Sequence, residues 1–366
     1  MNDKHKAGRF LHRVVSLAMV IAITFGSLIC PVVALDASDW IYPSEYHETI
    51  EAAAADLRAG LLQHREQIPV GYITAGVPEG FPFRWEIYDV ALEHTGNPKE
   101  GDYLRWQLGS CQGGLLYYPD QEMTEFSLLY TPTYYSTLEQ EAKVDVAIQA
   151  LLDELDLYDA TDYEKVVGVY DWICENVTYD NEHLPDPNYT VMRTAYGALI
   201  DRTAVCQGYA VLLYRLLLEL GIDNRVITGY GNGGYHAWNI VKLDGLYYNV
   251  DATWDATWHQ AGWDYQYFLC TDTNFGDHVR DEEFSTEQFY WIYPMAGTEQ
   301  TILMGDVDGD NEVSVLDAML VAQYIVGDLT QWQLNTAAAD VDHDKEITVL
   351  DAMLIAQYIV GDIDSF

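Results

Sequence analysis

Basic side chains are scarce in this chain. Across 366 residues there are 18 Lys and Arg against 58 Asp and Glu, a formal charge of −40. A surface that negative repels polyanions, which excludes nucleic acid and anionic lipid as partners. Cysteine is scarce as well: five in the whole chain are too few for a disulfide scaffold at this size. What the chain does have is apolar and aromatic weight, 49% and 13% of its residues. That composition excludes disorder and suits two or three domains, each able to bury a core.

The first 34 residues have the pattern of an export signal. Lys4, Lys6, Arg9 and Arg13 precede an uncharged run from Val14 to Cys30, and Val32-Val33-Ala34 offers small residues for cleavage. Cleavage near Ala34 predicts an extracellular protein with no stable membrane insertion, and it leaves the mature chain at −43. A retained segment would be just long enough to span a tilted bilayer. Four cysteines remain after cleavage, Cys111, Cys174, Cys206 and Cys270; if one is a free nucleophile, at most one bridge can form among the rest.

Hydrophobic periodicity predicts an α+β protein. Tyr46 to Arg65 reads as an amphipathic helix, and residues 67–135 read as turns and short strands that carry no recognisable chemistry. Ser136 with Glu139, and Thr161 with Glu164, form capping-box patterns that open two helices. Cys174 borders the apolar stripe of the second and reads as a small buried hydrophobe. Tyr209 to Leu220 is apolar all round, so it belongs in the middle of a core. After it come Arg225 to Tyr230, a connection through Gly231, Gly233 and Gly234, and a hairpin about Asp244-Gly245. From about Thr271 to Thr301 the pattern fades into an acidic connector. The expected organisation is a signal over 1–34, an N-terminal α+β region over 35–135, a central domain over 136–300 and a small module over 302–366.

Cys206 lies where the loop Asp201 to Val205 enters the apolar helix. Unpaired amides at a helix N-terminus favour the thiolate, which is the nucleophile. It needs a base, and the base needs an orienter. With Asp244 and Gly245 as the hairpin loop, Leu243 faces Leu246, Trp238 falls opposite Asp251, and His236 falls opposite Thr253. His236 and Asp251 then become diagonal neighbours about 7–8 Å apart. Asp255 is the alternative acid, beyond the expected strand. His259 and His278 fall in irregular segments with no acid at a defined register and rank below His236.

At the C-terminus, residues 306–328 recur at 340–362 with 18 of 23 positions identical. Each copy places aspartates at loop positions one, three, five and twelve: Asp306, Asp308, Asp310 and Asp317, then Asp340, Asp342, Asp344 and Asp351. That spacing wraps a hard cation in oxygen, with the backbone at position seven (Glu312, Glu346) and a water-mediated contact at nine (Ser314, Thr348). Position six is Asn311 in one copy and Lys345 in the other; Lys takes the turn less readily, which predicts a weaker second site.

These repeats resemble the type I dockerins. The resemblance implies a small all-α module, two calcium ions and docking to a cohesin module on a scaffold protein. It assigns recognition to Val315, Leu316, Ala322 and Gln323, and to Val349, Leu350, Ala356 and Gln357. Because both copies present the same set, docking in either of two orientations is expected. Residues 163–180, 204–222 and 234–255 resemble a transglutaminase-like domain of the papain-type superfamily, in which a buried helix carrying Cys packs against an antiparallel sheet. That resemblance implies acyl transfer on a protein or peptide substrate, with Cys206 attacking, His236 moving the proton, Asp251 orienting His236, and no cofactor for catalysis. Hydrolysis, amine crosslinking and a non-catalytic binding role all remain open at this point.

Overall fold

The computed structural model describes residues 40–118, 123–297, 303–308, 312–327, 329, 334–344 and 346–366, together with the backbone of 23–25. The export segment otherwise lies outside the described residues, as do Asp310, Asn311 and Lys345. Two compact units divide the chain, one of residues 1–95 and 99–138, the other of 96–98 and 139–366.

In the first unit, helix α1 (Ile50–Leu62) begins where the Thr49 hydroxyl accepts from the Ala52 amide. It buries Ala53, Ala54, Leu57 and Leu61, the face its periodicity marks. Strands β1 (Ile23–Phe25), β2 (Ile68–Thr74), β3 (Leu108–Tyr118) and β4 (Thr124–Tyr134) form an antiparallel sheet in the order β1-β3-β4-β2. Short strands and turns were expected here, but β3 and β4 are 11 residues each. Gly113, Gly114 and Pro132, which read as breakers, sit inside the ladder, with Pro132 opposite Cys111. Helices α2 (Phe83–Ala91) and α3 (Asp102–Gln107), too short to show a period, were not anticipated.

Helix α4 (Leu138–Leu155) starts at the boundary and lies in the second unit from Glu139 onward. The Ser136 hydroxyl does not cap it, donating instead to Gln107 Oε1 at 2.7 Å. Helix α5 (Asp162–Asn176) does begin with the expected Thr161–Glu164 capping box. Two short strands, β5 (Thr178–Tyr179) and β6 (Thr203–Ala204), pair in parallel before the next long helix. Helix α6 (Cys206–Glu219) is buried from Gly208 to Leu218, as its uniform apolarity requires. Its one charged core residue, Arg215, is 2% exposed and pairs with Asp145 and Glu219.

Against α6 stands an antiparallel sheet of β7 (Asn224–Gly231), β8 (Gly234–Leu243), β9 (Leu246–Val250) and β10 (His278–Arg280), in the order β10-β7-β8-β9. The supposed connector after Thr271 supplies β10 and half of the sheet's core. Phe275, Phe284, Phe289 and Tyr293 bury themselves against Ile227, Trp238, Ile240 and Tyr247. Its aromatics have no regular spacing, which is why periodicity overlooked them. Near the C-terminus, helices α8 (Val315–Ile325) and α9 (Val349–Val360) share a core of Val307, Val321, Leu334, Ala339, Val341 and Ile355. No helix among the described residues is long and apolar enough to cross a membrane.

Candidate active site

Cys206 is the first residue of α6, and the residue before it, Val205, has no side chain to cap the amides of the first turn. It is half-buried, whereas Cys111, Cys174 and Cys270 are buried. Burial pushes the Cys111 thiol up to about 12 and Cys174 well above the ordinary thiol value, so both are inert protonated groups. Among the described cysteines Cys206 alone can meet a substrate.

His236 lies on β8 opposite Gly229 of β7, with its ring buried. Its Nε2 donates to Asp251 Oδ2 at 2.7 Å, and Cys206 lies close enough to the same imidazole to favour its charged form. Burial alone would disfavour the imidazolium, but the Asp251 charge and hydrogen bond, with Cys206 adding to them, outweigh it and push His236 up to about 10.

Asp251 reaches His236 by a different route from the expected one. The hairpin register is as counted from Leu243–Leu246 to Asn239–Val250, and there β9 ends. The chain turns into α7 (Ala252–His259), so the pairs Trp238–Asp251 and His236–Thr253 do not form. Asp251 is instead the N-cap of α7, with Oδ1 accepting from the Thr253 amide at 3.0 Å and the Trp254 amide at 3.3 Å. Full burial would raise its pKa, yet the two imidazoles beside it hold the carboxyl down at about 2.

The alternative acid, Asp255, serves packing. It accepts from Tyr170 Oη at 2.6 Å, the Gln266 amide at 2.7 Å and the Tyr267 amide at 3.0 Å, and burial raises its pKa to about 6. His259 sits on α7 with Nε2 4.0 Å from Glu175 and Tyr265 beside its ring. His278 departs from expectation: it lies on β10 with its side chain 1% exposed, and its Nε2 donates to the same Asp251 Oδ2 at 3.2 Å. Its Nδ1 lies 2.9 Å from Asp277 Oδ1. Trp254 was also missed; its ring stacks on His236 at 5.1 Å and lies tilted against His278 at 4.3 Å. Gly231 makes the room, since a Cβ there would come 2.8 Å from the Trp254 ring. No pattern in the sequence around His278 or Trp254 marks either one.

The repeat module presents a second set of converging groups. Asp306, Asp308 and Asp317 bring carboxylate oxygens within 4.8 Å of one another, and Asp340, Asp342 and Asp351 do the same. Asp317 Oδ1 takes the Val307 and Asp308 amides and Oδ2 the Ser314 amide; Asp351 takes those of Val341, Asp342 and Thr348. Carboxylates gathered that closely, with one in each copy fully buried, are a hard-oxygen donor set that fits calcium. Asp344 lies outside the close group, and its amide is turned toward Asp340 and Asp342. Ser314 and Thr348 use their hydroxyls to cap α8 and α9 through the Leu316 and Leu350 amides. Glu312 and Glu346 stand at the seventh position of each loop. Val315, Leu316, Val349 and Leu350 are exposed at the starts of those helices; Ala322, Gln323 and Ala356 are exposed and Gln357 half-buried farther along.

Residues 149–252 match the model of the transglutaminase-like superfamily, and residues 304–360 match that of the dockerin type I domain. Type I dockerin domains generally bind calcium, and a dockerin implies a cohesin partner. The kyphoscoliosis peptidase of Homo sapiens is 29% identical over 133 residues, which cover 33% of this chain and 19% of the relative. That of Mus musculus is 31% identical over 106 residues, covering 26% of this chain and 16% of the relative. The chain thus spans less than a fifth of the length of the curated relatives it matches. The crystal structure of a TGase overlaps 50% of this chain and 51% of its own at 18% identity, with a TM-score of 0.30, a partial overlap.

Proposed function

We propose that this chain, which carries a transglutaminase-like domain and a C-terminal type I dockerin, is an extracellular, scaffold-docked cysteine enzyme that hydrolyses peptide or carboxamide bonds. The observation that carries the reading is the buried His236 ring, whose Nε2 donates to the Asp251 carboxylate at 2.7 Å, with Cys206 beside it at the head of α6. Cys206 gives its proton to His236, and Sγ adds to the substrate carbonyl carbon. As the tetrahedral intermediate collapses, His236 returns that proton to the departing nitrogen, which leaves as an amine or ammonia and a thioester remains. Backbone N–H groups at the head of α6 face the developing oxyanion. Water then attacks the thioester while His236 takes its proton, and Sγ departs as thiol. Asp251, ionised throughout, holds the ring and stabilises the imidazolium.

Hydrolysis is favoured over crosslinking because both curated relatives are peptidases by name. The dockerin would hold two calcium ions, through Asp306, Asp308, Asp310 and Asp317 and through Asp340, Asp342, Asp344 and Asp351, and would present α8 or α9 to a cohesin in a cellulosome-type assembly. The test is incubation of the purified protein with a peptide library, with and without a primary amine, products being read by mass. Gain of one water, lost in Cys206→Ala, supports hydrolysis. Amine incorporation at glutamine in place of water would make the protein a crosslinker. No product with either, and Cys206 labelled by iodoacetamide at pH 6 no faster than a free thiol, would leave it a non-catalytic docked subunit.

A further inference from the structure

We infer that His278 is a positioning residue of the proposed site, holding the Asp251 carboxylate in the orientation that His236 requires. The inference rests on the catalytic reading of Cys206, His236 and Asp251.

Asp251 has four donors. Oδ1 takes the Thr253 and Trp254 amides, and Oδ2 takes Nε2 of His236 and Nε2 of His278. An ionised carboxylate offers about four lone-pair positions, so this one is saturated. Rotation about its Cβ–Cγ bond, which would carry Oδ2 away from His236, must break a bond on each oxygen. Without His278, Oδ2 would be held by the one group it is meant to orient.

His278 is itself held firmly enough for that task. Phe275 stacks on its ring at 3.8 Å and 19°, Trp254 covers it at 4.3 Å, and Trp238 meets it edge-on at 5.0 Å. The titratable groups facing it are Asp251 at the head of α7, His236 on β8 with ring centroids 5.5 Å apart, Asp277 preceding β10, and Tyr267, whose hydroxyl donates to Asp277 Oδ2 at 2.8 Å. The sheet is arranged to bring the ring there. Strand β10 pairs with β7 through Arg280–Gly229, and a Cβ on Gly229 would lie 2.0 Å from the Val279 carbonyl oxygen. Only glycine lets the strand that carries His278 approach so closely. Trp254 then covers both imidazoles with one indole, so the two rings and the carboxylate between them pack as a unit.

A histidine that only filled the core would affect stability without affecting Cys206. The test separates the two roles with His278→Gln, whose amide nitrogen reaches the Nε2 position, and His278→Asn, whose amide stops at the Nδ1 position. The probe is iodoacetamide, and the readout is the rate of Cys206 labelling against pH, with thermal midpoints measured alongside. We expect His278→Gln to label within about threefold of wild type at pH 6 and His278→Asn to lose about tenfold or more. In His278→Asn the acid limb of the labelling profile should also move to higher pH, because a displaced Asp251 stabilises the imidazolium less. Equal loss in both variants, or no loss in either, overturns the inference. A wild-type protein whose labelling is not accelerated, or is unchanged by His236→Ala, would overturn the catalytic reading and this inference with it. Accelerated wild-type labelling that is indifferent to His278→Asn overturns this inference alone.

Discussion

Two regions of the molecule solve one problem in opposite ways. Asp251 in the candidate active site and Asp317 and Asp351 in the repeat module are buried aspartates in the first turn of a helix, each accepting backbone amides. Around Asp251 the chain supplies its own donors, two imidazole N–H groups on one oxygen. Around Asp317 and Asp351 it supplies more aspartates. On the proposed reading the first arrangement is complete without a ligand and moves a proton, whereas the second would be completed by a cation, which would tie its folding to metal. On this reading a buried acid at the head of a helix takes a catalytic or a structural role according to which side chains the rest of the fold brings beside it.

The sharpest test of this contrast is the nucleophile. Cys206→Ala should lower peptide turnover by about 10⁴-fold or more with the thermal midpoint unchanged, and retained turnover would end the proposed chemistry. Next in size, Asp251→Asn should cost about 10² to 10⁴ in kcat, because an amide can no longer fix the His236 tautomer; a loss appearing in KM alone would contradict its orienting role.

Chelation of calcium should then separate the two regions. EGTA should abolish cohesin binding and reduce the helical circular dichroism, while Cys206 labelling changes by less than about twofold. If labelling falls with the helical signal, the buried acids of the active site are not self-sufficient and the comparison breaks.

The pH dependence of stability, followed on the catalytic transition in EGTA, should show both edges of the His236–Asp251 pair. Asp251 is held near 2, below its unfolded value, so its contribution is present above about pH 4 and lost as pH falls toward 2. His236 is raised to about 10, so its contribution is present below about pH 6.5 and lost as pH rises toward 10. The two edges report one shared interaction, on the order of 2 kcal/mol. A flat profile across both windows would contradict the pair. The smallest effect is expected from Asp255→Asn, about 1–2 kcal/mol of stability with kcat/KM within about threefold; a larger kinetic loss would restore Asp255 as a candidate for the acid.

The proposed catalytic residues were legible as candidates because each sits on a local signal: Cys206 at a loop-to-apolar-helix junction, His236 on an alternating strand, Asp251 at a countable distance from Asp-Gly. The count succeeded for a partly wrong reason. Five pairs of the hairpin hold, after which Asp251 leaves the ladder and approaches His236 as a helix cap. The candidate calcium loops were more legible still, because their proposed ligands lie within twelve consecutive residues and need only local backbone to converge. The apolar and aromatic residues from Thr271 to Tyr293 were read as a connector, and this is where the partner of Asp251 was lost.

The sequence by itself determined the elements whose information is short-ranged: the interior helix headed by Cys206, the hairpin that presents His236, and the duplicated acidic loops with their capped helices. Tertiary structure alone decided that β10 would lie along β7, and so that His278 and Trp254 would close over Asp251. The physical reason is that hydrophobic period and ligand spacing are properties of neighbouring residues. The pairing of β10 with β7 depends instead on two glycines 47 and 49 residues before His278 and on a core of irregularly spaced aromatics.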